Sequence, residues 1–164
     1  MSATVTKPAN RARVTTPAER DIHIERTFDA SLDRIWDAHT KPELVAQWFG
    51  RGNQVTVERL EPTRGGHWRY VQQTPQGPQG FEGRYREVTP KTHIVRTFEW
   101  DGMPGHVIVE DTRFVDLGNE RTKIVIDMTF HTTEERDGML ASGVEPGMNA
   151  SYDALDAIMA RKQS

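Results

Sequence analysis

The sequence of 164 residues contains no cysteine. This absence excludes disulfide bonds, thiolate metal sites and a cysteine nucleophile, and it is consistent with a reducing compartment. No apolar run reaches the length needed to cross a membrane, and the N-terminal residues lack the apolar core of a signal peptide. The sequence therefore predicts a cytoplasmic protein that does not use a membrane as a partner.

The chain also lacks an excess of one charge and is poor in apolar residues. It has 21 basic and 24 acidic residues, a net charge of -3, and only 35% hydrophobic residues. This balance predicts no nucleic-acid partner. Residues 1–20 hold almost no large apolar side chain, so we expect a disordered tail there and a single domain over 21–164.

Sequence motifs of common catalytic sites are missing. There is no nucleophile-elbow serine, no phosphate-binding loop and no dinucleotide fingerprint. The six histidines are scattered singly and none has a partner at helical metal-ligand spacing. Glu110 and Asp111 are neighbours on a predicted strand, so they point to opposite faces and cannot act together on one substrate. We predict no metal and no cofactor.

The last part of the chain carries the strongest helical pattern. Residues 147–162 place Met148, Tyr152, Leu155 and Met159 on one stripe. A helix of this length would run about 24 Å at 1.5 Å per residue. Such a helix needs a broad apolar surface to cover its stripe, which a sheet can supply.

Alternating apolar and polar residues predict the strands of that sheet. The pattern repeats at 21–29, 54–61, 67–73, 81–89, 92–100, 106–116 and 122–130, with a loop rich in proline and glycine at 74–80. Because most connections are short, these segments predict an antiparallel meander of about six to seven strands.

Helix start signals separate some of these strands. Ser31 is a candidate N-cap for a short helix that carries Ile35 and His39 on its apolar face. Thr40 with Glu43, and Thr132 with Glu135, have the spacing of a capping box. The pattern therefore predicts an α+β fold with two short helices after the first strand and a long C-terminal helix.

Large aromatic residues fall in phase on the predicted strands and can share the face that meets the last helix. Apolar walls with a few polar tips are typical of a small-molecule pocket, but large aromatics also fill the core of small α+β domains. Candidate ligand-binding residues are Trp48, Phe49, Trp68, Tyr70, Phe81, Tyr85, Phe98, Trp100, Met148 and Tyr152.

Three polar residues complete the candidate site. Arg96 is in phase with Phe98 and Trp100, so it needs a carboxylate or an anionic ligand if it is buried, unless a strand end or a bulge lets it reach water. Glu110 is a candidate partner for it. His106 follows a turn and is either a cavity residue able to exchange protons or a structural histidine of that turn.

Several segments taken together resemble the START-like, helix-grip superfamily, also called SRPBCC. Within it the chain is similar to the branch named after the activator of the ninety-kilodalton heat-shock protein ATPase. The resemblance spans about residues 22–161 and is carried by the segments 28–30, 35–36, 42–44, 48–50, 65–69, 83–88, 97–100, 102–106, 136–140 and 142–143.

The resemblance implies a curved antiparallel sheet that grips the C-terminal helix, with a cavity between them. A small apolar or aromatic molecule, which can be acidic, is then the expected ligand of a monomer or homodimer. A chaperone is an alternative partner, although the chain has no counterpart to the chaperone-contacting domain of the eukaryotic activators. A second alternative is a cyclase or hydrolase that uses His106, Tyr85 or Glu110 as an acid or base.

Overall fold

The computed structural model describes residues 12–50 and 52–161. Within them the chain forms eight strands and four helices. In order these are β1 (Arg13–Thr15), β2 (Asp21–Phe28), α1 (Leu32–Thr40), α2 (Pro42–Trp48), β3 (Val55–Leu60), β4 (His67–Thr74), β5 (Gly77–Thr89), β6 (His93–Trp100), β7 (Ile108–Gly118), β8 (Arg121–Thr129), α3 (Thr133–Ala141) and α4 (Val144–Arg161).

All eight strands form one curved antiparallel sheet in the order β1-β2-β8-β7-β6-β5-β4-β3. The two short helices carry the chain from β2, near one edge, to β3 at the other edge. The helix α4 buries Tyr152, Leu155 and Met159 of the predicted stripe, together with Ile158, whereas Met148 is half-buried. The predicted α+β class with a sheet holding a long terminal helix is confirmed.

The sheet has one strand more than predicted because β1 lies within the segment expected to be a disordered tail. β1 pairs with β2, and Ala12 N–H donates a 2.9 Å hydrogen bond to the Asn149 side chain on α4. The expectation of disorder is wrong for residues 12–15, since backbone hydrogen bonds to a sheet edge need no large apolar side chains. Residues 1–11 lie outside the described part of the chain.

The predicted loop at 74–80 is instead a tight hairpin. The ladder between β4 and β5 continues to the pair of Thr74 and Gly77, so that only Pro75 and Gln76 lie in the turn. Gly77 has φ of 110°, which a glycine adopts without strain. The glycines and prolines of this stretch therefore shape a turn between two strands and do not end the strands.

Two of the predicted helix caps are confirmed. The Ser31 hydroxyl accepts from Arg34 N–H, and the Thr132 hydroxyl accepts from Glu135 N–H. The capping box at Thr40 is wrong because Thr40 is the last residue of α1, where its hydroxyl donates to the Trp36 carbonyl. The helix α4 begins three residues before the predicted start, at Val144.

A close approach between β5 and β6 positions the buried indole of Trp68. The Trp68 N–H donates to the Thr97 carbonyl at 3.0 Å, and Gly83 lies beside both groups. A Cβ atom on Gly83 would lie 1.8 Å from that carbonyl oxygen. Glycine at this position is therefore required by space, not by backbone conformation.

A buried arginine fixes α4 to the sheet. Arg26 on β2 is 2% exposed and contacts the carboxylates of Asp156 and Asp153 on α4. Its guanidinium also lies 5.0 Å from the ring centre of Phe28 and 5.9 Å from that of Tyr152. These contacts hold the helix that covers the concave face of the sheet.

Candidate functional site

A cavity of about 820 Å³ lies between the concave face of the sheet and the helices α2, α3 and α4. Strands β4 to β8 supply its floor, because every second residue of each strand points to this face. On β7 these are Ile108, Glu110, Thr112 and Phe114, while Asp111 faces outward and bonds to His93. The predicted opposite orientation of Glu110 and Asp111 is confirmed.

All the predicted ligand-binding residues except Trp68 line this cavity. They are Trp48, Phe49, Tyr70, Phe81, Tyr85, Arg96, Phe98, Trp100, His106, Glu110, Met148 and Tyr152. Trp68 is fully buried and lies beneath Arg96, with the guanidinium 3.9 Å from the indole centre. It supports the lining without being part of it.

The aromatic wall consists of rings in mutual contact. Phe49, the C-cap of α2, lies 4.9 Å from Tyr70 and 5.9 Å from Phe81 between ring centres. Trp48 packs on Tyr152 of α4 at 5.7 Å. These contacts join α2, α4 and the sheet around one space, so the wall is built from all three.

Arg96 and Glu110 form the polar centre of the cavity. They are direct cross-strand neighbours on β6 and β7, and Arg96 Nε donates to Glu110 Oε1 at 2.9 Å. The Arg96 Nη1 group donates to the Tyr70 hydroxyl at 3.3 Å. Burial alone would lower the pKa of Arg96, but Glu110 and the nearby tyrosines outweigh it, so the guanidinium stays charged. Of the alternatives for Arg96, pairing with Glu110 is the one found.

Two tyrosines next to this pair remain protonated. Burial raises the pKa of Tyr85, and Tyr70 adds to this effect. Burial also raises the pKa of Tyr152, and the negative charge of Glu110 raises it further. The Tyr152 side chain is 3% exposed, and its hydroxyl has no hydrogen-bond partner among the residues that the structure describes. It offers a neutral donor and acceptor to the cavity.

His39 is a lining residue that the sequence placed only on the apolar face of α1. Its Nδ1–H donates to the Ile35 carbonyl at 2.8 Å, so Nε2 is an acceptor in the neutral ring. Burial between the rings of Trp48 and Phe114 is the main cause that lowers its pKa to about 4, and Arg96 lowers it further. The imidazole is therefore neutral at pH 7.

Stability should fall with acid because of His39. Between pH about 6.5 and about 4 the unfolded chain binds a proton at this residue and the folded protein does not. The free energy of unfolding should therefore decrease by up to about 1.4 kcal/mol for each pH unit in this window. Denaturant titrations from pH 7 to pH 4 measure this slope in the wild type and in His39→Phe, which keeps an aromatic ring.

The His39→Phe variant should show a shallower slope by about one proton. His131→Gln is the control, because it replaces an exposed histidine and leaves His39 in place. Equal slopes in the wild type and His39→Phe would contradict a buried neutral imidazole.

The mouth of the cavity lies between the turn after β6 and the start of α3. Trp100 and Met103 are 38% and 42% exposed there. His106 Nδ1 and Glu135 Oε2 are 2.6 Å apart, so the imidazole donates to the carboxylate across the mouth. His106 belongs to the turn, which was one of the two expectations for it, and its side chain also borders the cavity.

The residues of the enzyme alternative are not joined into one set. His106 bonds to Glu135, whereas Glu110 bonds to Arg96. Over residues 12–50 and 52–161, no hydrogen bond links His106 with Tyr85 or Glu110, and no cluster of three or more acidic or histidine side chains suits a metal ion. Among the described residues, the hydrogen bonds therefore leave His106 apart from Tyr85 and Glu110, both of which contact Arg96.

Several lining residues were not among the predicted site residues. They include His39, Ile94, Thr112, Phe114, Ile126, Met128, Phe130, Glu135, Met139 and Val144. The strand alternation on β8 already placed Ile126, Met128 and Phe130 on one face. Glu135 and Met139 carried no such signal, because the orientation of α3 depends on tertiary packing.

A curved antiparallel sheet that holds a long C-terminal helix over a cavity defines the helix-grip class of START-like domains. The family model described as activator of Hsp90 ATPase homolog 1-like protein matches residues 29–160. The chain belongs to this family, as its sequence segments indicated.

Solved structures with the same fold come from several bacteria. A crystal structure from Rhodobacter sphaeroides is 25% identical over 92% of this chain and 99% of that chain, with a TM-score of 0.84. A solution structure from Staphylococcus epidermidis is 29% identical over 90% and 93%, with a TM-score of 0.76. One from Arthrobacter aurescens is 23% identical over 91% of each chain, with a TM-score of 0.81, and shows the fold alone.

Comparison with curated proteins gave no match. In the part of the chain that the structure covers, no helix combines the length and apolarity needed to span a membrane.

Proposed function

We propose that the protein binds a small, largely apolar molecule in the cavity beneath α4. The observation that supports this most directly is the composition of the lining. Most of the side chains around this space of about 820 Å³ are aromatic or aliphatic, and Arg96 and Glu110 form an ion pair within it. Pockets for drug-sized ligands have volumes of about 300–1,000 Å³ and the same mixture of apolar walls and few polar groups.

The arrangement of the rings suits a flat aromatic molecule. Phe49, Tyr70 and Phe81 meet edge to face, which leaves ring faces and edges directed at the enclosed space. An aromatic ligand can add further contacts of this type, each worth about 0.5–1.5 kcal/mol beyond the burial of its surface. The family fold is consistent with this role.

A titration with the neutral fluorescent probe N-phenylnaphthylamine tests the proposal. We expect a saturable increase in probe emission that corresponds to one site per chain, because the cavity removes the probe from water. Unlabelled naphthol should displace the probe. A linear, non-saturating response from protein that is folded by circular dichroism would contradict a ligand site in this cavity.

A further inference from the structure

The charged groups inside the cavity already neutralise each other. The Arg96 guanidinium donates to Glu110 at 2.9 Å and to the Tyr70 hydroxyl at 3.3 Å, and its face covers the Trp68 indole. The side chains of Arg96 and Glu110 are 17% and 12% exposed. Arg96 therefore has its counter-ion in the protein and does not need an anionic ligand.

Three groups in the cavity offer hydrogen-bond acceptors to a ligand. The second carboxylate oxygen of Glu110 and the hydroxyl of Tyr152 make no hydrogen bond within the described ranges, although both side chains line the cavity. His39 donates through Nδ1 to the Ile35 carbonyl, which leaves Nε2 as an acceptor in the neutral ring. A ligand that satisfies Glu110 and His39 must donate hydrogen bonds, whereas the neutral Tyr152 hydroxyl can either accept from the ligand or donate to it.

We propose that the ligand is an uncharged aromatic or alicyclic molecule with an alcohol or phenol hydroxyl, and not a carboxylic acid. The inference rests on the proposed function and specifies the ligand class for the same cavity. A hydroxyl group can donate to Glu110 and accept from Tyr152. A carboxylate would have to approach the negative charge of Glu110 in a water-poor space, where like charges repel strongly.

Displacement of N-phenylnaphthylamine by naphthol and by naphthoic acid at pH 7 tests this inference, because the two compounds share one ring system. In the wild type, naphthol should compete at a concentration at least about tenfold lower than naphthoate. Glu110→Gln leaves the charge of Arg96 without its counter-ion, so it should improve naphthoate relative to naphthol by about tenfold or more.

Asp111→Asn is the matched control for Glu110→Gln. It removes the same charge from the next residue of β7, but on the outer face, where Asp111 bonds to His93 at 2.8 Å. The ratio of the two affinities should be unchanged in this variant. A similar shift in both variants would mean that the overall charge of the protein decides the preference, and would overturn the inference.

Tyr152→Phe provides a second test that does not disturb the ion pair. It should weaken naphthol about three- to tenfold and leave naphthalene, which has no hydroxyl, unchanged. This variant and the wild-type comparison decide the question if Glu110→Gln does not fold.

The failure of the two proposals can be told apart. If N-phenylnaphthylamine does not bind the wild type, the proposed function itself is wrong. If the probe binds and naphthoate displaces it as well as naphthol does, the cavity takes ligands but their class is not the one inferred.

Discussion

Gly83→Ala should destabilise the protein by about 3 kcal/mol, which corresponds to a fall in melting temperature of roughly 6–12 °C for a domain of this size. The new methyl group would lie 1.8 Å from the Thr97 carbonyl oxygen and 2.8 Å from the Trp68 indole nitrogen. Backbone on β6 cannot move away without breaking the hydrogen bond between those two groups. The displaced Trp68 would in turn remove the support of Arg96.

Gly138→Ala is the control for this substitution. Gly138 lies within α3, and a Cβ atom there meets no atom within 4 Å. Since alanine is the better helix former, this variant should gain about 0.5–1 kcal/mol. Denaturant unfolding of both variants measures the difference. A free energy of unfolding for Gly83→Ala within 1 kcal/mol of the wild-type value would show that β5 and β6 can separate at little cost. That result would contradict the requirement for glycine at this position.

Thr112→Phe should reduce the affinity for N-phenylnaphthylamine by at least about tenfold. Thr112 lies on β7 between Ile94 and Ile126 and points into the cavity. A phenyl ring at this position occupies the space that the probe would use. Because it fills a void lined by apolar groups, the substitution should keep or raise the free energy of unfolding.

Val115→Phe is the matched control on the same strand. Val115 lies on the outer face and is 38% exposed, so an added ring there should not alter probe affinity. Fluorescence titration and thermal unfolding of the two variants separate loss of the cavity from loss of the fold. Unchanged affinity in a stable Thr112→Phe protein would place the probe outside this cavity.

The sequence predicted most of the fold because local patterns decide most of it. The alternation on β8 and the caps at Ser31 and Thr132 depend on neighbouring residues alone. The strand β1 was not predictable in this way, since its partner, β2, offers a backbone edge and not an apolar face. The residues around Thr40 carry one signal for the end of α1 and another for the start of α2. In the structure Thr40 is the last residue of α1.

The lining of the candidate site was largely predictable because strand phase determines which face a side chain occupies. Arg96 followed from its phase on β6, and Glu110 was a candidate partner because a buried charge without a partner is costly, with a strand end or a bulge that reaches water as the open alternative. Trp68 shared that phase, but Arg96 covers it, and only coordinates show which of two neighbours lies above the other. The His106 contact with Glu135 joins distant segments and left no pattern in the sequence.

The pairing of β1 and β2 with the rest of the sheet matters for any shortened form of the protein. The family match begins at residue 29, after both strands have ended. A chain trimmed to that match would leave the backbone groups of β8 unpaired along one side and would uncover Ile124 and Ile126. Such an open edge invites pairing between molecules and aggregation. A shortened protein therefore needs the residues of β1 and β2, which precede the segment matched by the family model, in order to form the complete sheet.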